Sequence, residues 1–109
     1  GRSPFGIDCS GLIQMIFKLN GISVRRDAAQ QALEGQTIHL IEESKTGDIA
    51  FFDNAEGRII HTGILTGNGS IIHASGEVRL DPIDHHGIYN KAEGRYTHNL
   101  RIIKRLTNP

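Results

Sequence analysis

The stretch Ile59-Ile60-His61-Thr62-Gly63-Ile64-Leu65-Thr66-Gly67-Asn68-Gly69-Ser70-Ile71-Ile72-His73-Ala74-Ser75 decides the reading of the chain. Two isoleucine-rich runs flank Gly67-Asn68-Gly69, which predicts a β-hairpin. Each run holds one histidine. Side chains alternate faces along a strand, so loop length decides whether the two histidines meet. A loop of Gly67 to Gly69 pairs Thr66 with Ser70, Gly63 with His73 and His61 with Ser75. His61 and His73 then share a face as diagonal neighbours, and Gly63 leaves room for the His73 ring. A two-residue Asn68-Gly69 turn, itself a strong hairpin signal, puts them on opposite faces. The odd-length loop or a bulge is the expectation, because a cysteine near the start of the chain gives paired histidines a use.

Outward from the hairpin, Ile49-Ala50-Phe51-Phe52 reads as a short apolar strand. Glu77 to Leu80 alternates and reads as another, and Leu100 to Leu106 as a last one. Asp81 to Asn99 has few apolar residues and reads as a long loop holding Tyr89 and Tyr96. Arg101, Lys104 and Arg105 read as the solvated side of an edge strand. Before the sheet, Leu12, Ile13, Met15, Ile16, Phe17 and Leu19 give a broad apolar helical face from about Cys9 or Ser10 to Asn20. Asp27 and Gln30 have the spacing of a capping box for a second helix over Ala28 to Glu34, stopped by Gly35. Gln36 to Gly47 reads as a connector. Helices followed by an antiparallel sheet predict the α+β class.

The composition bounds the function. With 109 residues the chain is one domain. Lys+Arg and Asp+Glu are 12 each, so there is no basic excess to drive counterion release from nucleic acid. No apolar run approaches the roughly 20 residues of a membrane helix. The single cysteine excludes an intrachain disulfide and a cysteine zinc cluster. No metal or other cofactor is expected; His85-His86 lacks a third ligand at convincing spacing and reads as an exposed loop pair. Gly47-Asp48 reads as a structural turn before a strand.

A lone cysteine is ordinarily a buried apolar residue. Cys9, however, sits at a helix start, where unpaired amides and the helix dipole lower a thiol pKa. Gly11 lets a substrate backbone approach the sulfur. A cysteine nucleophile needs a base and a group that orients the base. His61 and His73 stand out among the 6 histidines because each is embedded in an apolar strand pattern. His39 and His98 have no motif around them.

Gly6-Ile7-Asp8-Cys9-Ser10-Gly11 resembles the Asp-Cys-Ser-Gly signature of the NlpC/p60 cell-wall cysteine peptidases. Gly47-Asp48-Ile49-Ala50-Phe51-Phe52, His61-Thr62-Gly63-Ile64 and Ile72-His73-Ala74-Ser75-Gly76 are similar to the family's later blocks, in the same order. The resemblance implies a papain-like fold with the cysteine helix packed on an antiparallel sheet. It implies Cys9 as nucleophile, His61 as general base and His73 as the group orienting it. Asp8 and Ser10 would help bind substrate, Asp8 through a free amine. Asp27, in the Arg26-Asp27 segment, is similar to a substrate contact of the dipeptidyl-peptidase branch, although it also suits a helix cap. The family often has a hydroxyl residue just after this Arg-Asp or Arg-Thr pair, where this chain has Ala28-Ala29.

The reaction implied is hydrolysis of peptidoglycan stem peptides at the bond between γ-D-glutamate and a diamino acid. The implied setting is the bacterial cell envelope, with cytoplasmic muropeptide recycling as the alternative, and the implied form a monomer. The family has a tyrosine and a Trp-Gly-Gly segment just upstream of this start. Residues 1–109 therefore read as a catalytic-domain fragment, with that segment and any SH3-like domains outside it. Two other functions compete: a papain-like amidase or acyltransferase, and a wall-binding module without activity.

Overall fold

The computed structural model of the chain describes residues 35–74 and 77–106, together with Leu33. The strands are β1 (Gln36–Ile38), β2 (Ile49–Asp53), β3 (Ile59–Leu65), β4 (Ser70–Ala74), β5 (Val78–Asp84), β6 (Gly87–Asn90) and β7 (Arg95–Arg105). A 3-10 turn spans Ile41–Glu43. Every pairing is antiparallel. The sheet runs β1-β7-β2-β3-β4-β5-β6, and β6 pairs again with β7. That last pairing closes β2 to β7 into a barrel, with β1 added along the C-terminal half of β7. Closure gives each of the six barrel strands a paired neighbour on both sides.

The α+β expectation is corrected by this closure. Among the described residues there is no α-helix, and the sheet is a closed all-β barrel rather than a layer with helices packed on it. Both helix expectations, Cys9 to Asn20 and Ala28 to Glu34, fall almost wholly outside the described residues. No helix among the described residues is long and apolar enough to cross a membrane.

Register explains where the core sits. The pairs Ala50↔Gly63 and Phe52↔His61 put these four residues on one face. Continuing around the ring, Gly63↔His73 and Leu65↔Ile71 join that face, then Ile71↔Asp81 and His73↔Arg79, then Ile83↔Ile88. This is the barrel interior: Ala50, Phe52, Leu65, Ile71, Ile83, Ile88 and Ile103 form one buried cluster with Ile38. Residues one step along the strands, Ile49, Phe51 and Ile64, form a second cluster on the opposite face. Ile49 and Phe51 are fully buried there, so β2 is apolar on both faces, as its unbroken apolar run implies.

The hairpin takes the odd-length loop. Thr66 N–H donates to the Ser70 carbonyl at 3.1 Å, and Gly63 pairs with His73 as the arithmetic required. Gly67 (φ 86°) and Gly69 (φ 81°) both occupy the left-handed region, which glycine enters without a Cβ penalty. Asn68-Gly69 therefore does not act alone as the turn. Ser75, the expected partner of His61, lies outside the described residues.

Three sequence readings are revised. Asp81 to Asn99 is not a loop: it holds the end of β5, all of β6 and the start of β7, with Tyr89 paired to Tyr96. The connector Gln36 to Gly47 contains β1 and the 3-10 turn. Arg101, Lys104 and Arg105 lie on an interior strand of the sheet, between β1 or β6 and β2. Lys104 Nζ donates to Thr37 Oγ1 at 2.8 Å, and Arg105 clamps Asp48, so this side is paired rather than simply solvated.

Candidate functional site

The interior of the barrel is chemically divided along its axis. One end is filled by the apolar cluster, whose Phe52 borders the polar end. At the other, β3, β4, β5 and β7 contribute His61, His73, Asp81 and His98 to the same interior face. His61, His73 and Asp81 are 6%, 2% and 7% exposed, so water supplies little of their hydrogen bonding and they must satisfy one another.

They do so in a line. His61 Nε2 lies 2.8 Å from His73 Nδ1. His73 Nε2 lies 2.7 Å from Asp81 Oδ2. Arg79 Nε donates to the same Oδ2 at 3.1 Å, and Arg79 Nη2 to Oδ1 at 3.3 Å. The His61 and His73 rings are nearly perpendicular, at 88°. His98 lies almost parallel to His61, and Phe52 flanks both rings.

Gly63 makes the approach of β3 and β4 possible. A Cβ there would lie 2.7 Å from Ile71 Cδ1 and 2.9 Å from His73 Cβ, inside van der Waals contact. The room that the sequence assigned to Gly63 opposite His73 is therefore filled by its neighbours.

Electrostatics follow from the burial. Burial pushes His61 down to about 3, aided by the positive charge that His98 and His73 would carry beside it. His98 is also lowered, first by burial and then by His73, against a smaller opposing pull from Asp81. Burial, the largest single influence, acts to raise Asp81, but the hydrogen bonds and charges of Arg79 and His73 together hold the carboxyl below its ordinary value. The resting arrangement is an unprotonated His61 with the ionised Asp81 carboxylate behind His73. Among the described residues no cluster of three or more His, Cys, Asp or Glu is arranged to hold a metal.

Of the residues singled out in the sequence, His61 and His73 are brought together. Cys9, Asp8, Ser10 and Asp27 lie outside the described residues. Asp48 is buried at 2% exposure and accepts from Lys45 N and from both Arg105 Nε and Nη2, each at 2.8 Å, which is a structural clamp. His85 and His86 are exposed and lie side by side at the β5–β6 turn, their rings tilted by 40°, away from the line of histidines. Sequence reasoning missed Asp81, Arg79 and His98. Arg79 and Asp81 are spaced i and i+2, the period that puts both on one strand face, but the reading ended that strand at Leu80. His98 was assigned to a loop.

The sequence profile of the NlpC/P60 family matches residues 1–100. A gamma-D-glutamyl-L-lysine dipeptidyl-peptidase of Bacillus subtilis (strain 168) is 45% identical over 76 residues, covering 68% of this chain and 25% of that protein. A dipeptidyl-peptidase of the same name from Bacillus cereus is 33% identical over 99 residues, covering 86% of this chain and 29% of the relative. The chain thus spans between a quarter and a third of these relatives.

Among solved structures, an NlpC/P60 family protein of Bacillus cereus superposes with a TM-score of 0.73 at 28% identity, covering 92% of this chain and 32% of that one. RipD of Mycobacterium tuberculosis, described as a non-catalytic NlpC/p60 domain protein, superposes with a TM-score of 0.70 over 94% of this chain and 68% of its own. At 24% identity that likeness bears on the fold alone. With the profile spanning nearly all of its length and the ordered sequence blocks in place, this chain belongs to the NlpC/P60 family.

Proposed function

We propose that the chain is the catalytic domain of a cysteine peptidase that hydrolyses peptidoglycan stem peptides, at the bond between γ-D-glutamate and a diamino acid. The observation that carries this reading is the 2.8 Å contact between His61 Nε2 and His73 Nδ1 inside the barrel. It engages one nitrogen of His61 and leaves Nδ1 as the nitrogen that can take a proton.

In this reading Cys9 is the nucleophile and His61 the general base, with His73 holding the His61 ring in orientation. His61 Nδ1 takes the Cys9 proton, and the thiolate attacks the scissile carbonyl. The tetrahedral intermediate collapses with transfer of that proton to the leaving amine, and water then hydrolyses the acyl-enzyme with His61 again as base. Burial alone disfavours the His61 imidazolium, so the ionised form needs a nearby negative charge. A Cys9 thiolate supplies it, and the two charges arise together as an ion pair. Asp8, Ser10 and Asp27 serve as substrate contacts, Asp8 toward a free amine. The relatives named as gamma-D-glutamyl-L-lysine dipeptidyl-peptidases support the choice of bond. The envelope is the corresponding site of action.

The test is turnover of L-Ala-γ-D-Glu-L-Lys by the purified chain, followed as release of the L-Ala-D-Glu dipeptide. Cys9→Ala is expected to abolish it. Turnover by Cys9→Ala at the wild-type rate, or none by the wild type on this peptide or on intact peptidoglycan, overturns the reading.

A further inference from the structure

We infer that Asp81, held by Arg79, is a positioning residue that sets the tautomers of both histidines and so fixes His61 Nδ1 as the base. The inference rests on the reading of His61 as base and deepens it by one residue.

An ionised carboxylate only accepts hydrogen bonds, so the proton between Asp81 Oδ2 and His73 Nε2, 2.7 Å apart, belongs to His73. With a single proton on the His73 ring, that proton sits on Nε2 and Nδ1 is a lone pair. His61 Nε2, 2.8 Å from it, must therefore carry its own ring proton and donate. The one unprotonated nitrogen of His61 is Nδ1, which is what a base requires. Reverse the first proton and every later one reverses: a proton on His73 Nδ1 makes His61 Nε2 the acceptor, and the His61 proton moves to Nδ1.

Arg79 secures the starting point. It binds both oxygens of the carboxylate from two positions away on β5, on the same strand face. The Arg79 side chain is 33% exposed, so the pair contributes little stability as a salt bridge. Its effect is to keep a carboxyl ionised while that carboxyl is 7% exposed. The hydrogen bonds and charges of Arg79 and His73 together outweigh the burial that acts to neutralise Asp81. The same arrangement stabilises charge during turnover. When His61 is protonated it donates more strongly to His73, and His73 passes that polarisation to the carboxylate.

The experiment reads tautomers and turnover separately. Imidazole nitrogen shifts are measured by NMR on the full chain carrying Cys9→Ala, so that no thiol can pass its proton to His61, at pH 7.5. Both rings are expected in the Nε2–H form. Asp81→Ala in that background is expected to shift His73 and His61 toward mixed or Nδ1–H tautomers, and Asp81→Glu to restore the Nε2–H form at least in part. In the Cys9 protein, Asp81→Ala is expected to lower kcat by about 10- to 100-fold with KM changed less than about threefold, the scale of losing a group that orients a reacting ligand. A proton on His73 Nδ1 with Asp81 intact overturns the proposal without any variant. So do unchanged tautomers in Asp81→Ala, or an Asp81→Ala protein with wild-type kcat. If the unaltered protein turns over no wall peptide, the peptidase reading fails, and the tautomer response alone decides the role of Asp81.

Discussion

His98 lies flat against His61, with ring centroids 4.1 Å apart and planes inclined by only 22°. His98 comes from β7 and His61 from β3, which are separated by β2 in the sheet. The stack therefore holds one side of the His61 ring while His73 holds its edge. His98→Ala should lower kcat/KM by roughly 2- to 10-fold, matching an aromatic contact of about 0.5–1.5 kcal/mol. His98→Phe keeps a flat ring and should retain most of the activity. Steady-state kinetics on a stem tripeptide decides the matter, and a Phe variant as impaired as the Ala variant would show that the imidazole's polar atoms matter instead.

Gly63→Ala tests the close approach of β3 and β4. The added methyl meets Ile71 Cδ1 at 2.7 Å, Ile71 Cγ1 at 2.8 Å and His73 Cβ at 2.9 Å. Overpacking of this kind costs about 1–3 kcal/mol. Urea unfolding should register that loss, and turnover should fall because His73 is displaced. Adding Ile71→Val removes only the Cδ1 contact, so stability should recover in part while activity should not.

Stability should fall in mildly acid solution. His61, pushed down to about 3, and His98, also lowered, stay neutral in the fold where the unfolded chain already binds protons. Unfolding then takes up protons, so stability drops as pH falls from about 6.5 toward 3, by up to about 1.4 kcal/mol per pH unit for His61. Asp81, whose folded value is also depressed, adds to the loss only below the ordinary carboxyl range. Urea midpoints between pH 7.5 and 4 measure the slope. A flat profile between pH 6.5 and 5, or one unchanged by His61→Gln, contradicts the assignment.

The Asp48–Arg105 clamp should matter for stability and not for chemistry. Asp48 sits just before β2 and Arg105 ends β7, at the opposite end of β2 from Phe52 and the histidines. Asp48→Asn removes the charge from two hydrogen bonds of 2.8 Å each to a guanidinium. A loss of about 1.5–3 kcal/mol is expected. The thermal midpoint should drop while kcat stays at its wild-type value; a kcat reduced at a temperature where the variant is fully folded would place Asp48 in the site.

Strands that carried apolar residues were legible without coordinates. Ile49–Asp53, Ile59–Leu65 and Ser70–Ala74 pair within a residue or two of where their patterns ended. Counting gives the hairpin register only for a stated loop length: the odd loop, expected because a cysteine gives paired histidines a use, is the one the structure shows, against the competing two-residue Asn68-Gly69 turn. The far strands were not legible, and the reason is physical. At the polar end of the barrel the inward positions of β5 and β7 are Asp81 and His98 rather than isoleucine, so the apolar alternation that marks a half-buried strand is missing. Pro82 in β5 reads as a break for the same purposes.

The residues alone determined the order of the sequence blocks and the two histidine-bearing strands, while the shared face of His61 and His73 needed the odd loop that the structure shows. The blocks and the strands depend on local period and spacing, which a linear chain displays. Closure of the barrel through β6 and β7, the stacking of His98 and the carboxylate behind His73 were decided only in three dimensions. They join residues such as Gly87 and Asn99, whose pairing no local periodicity encodes and only the returning strand supplies.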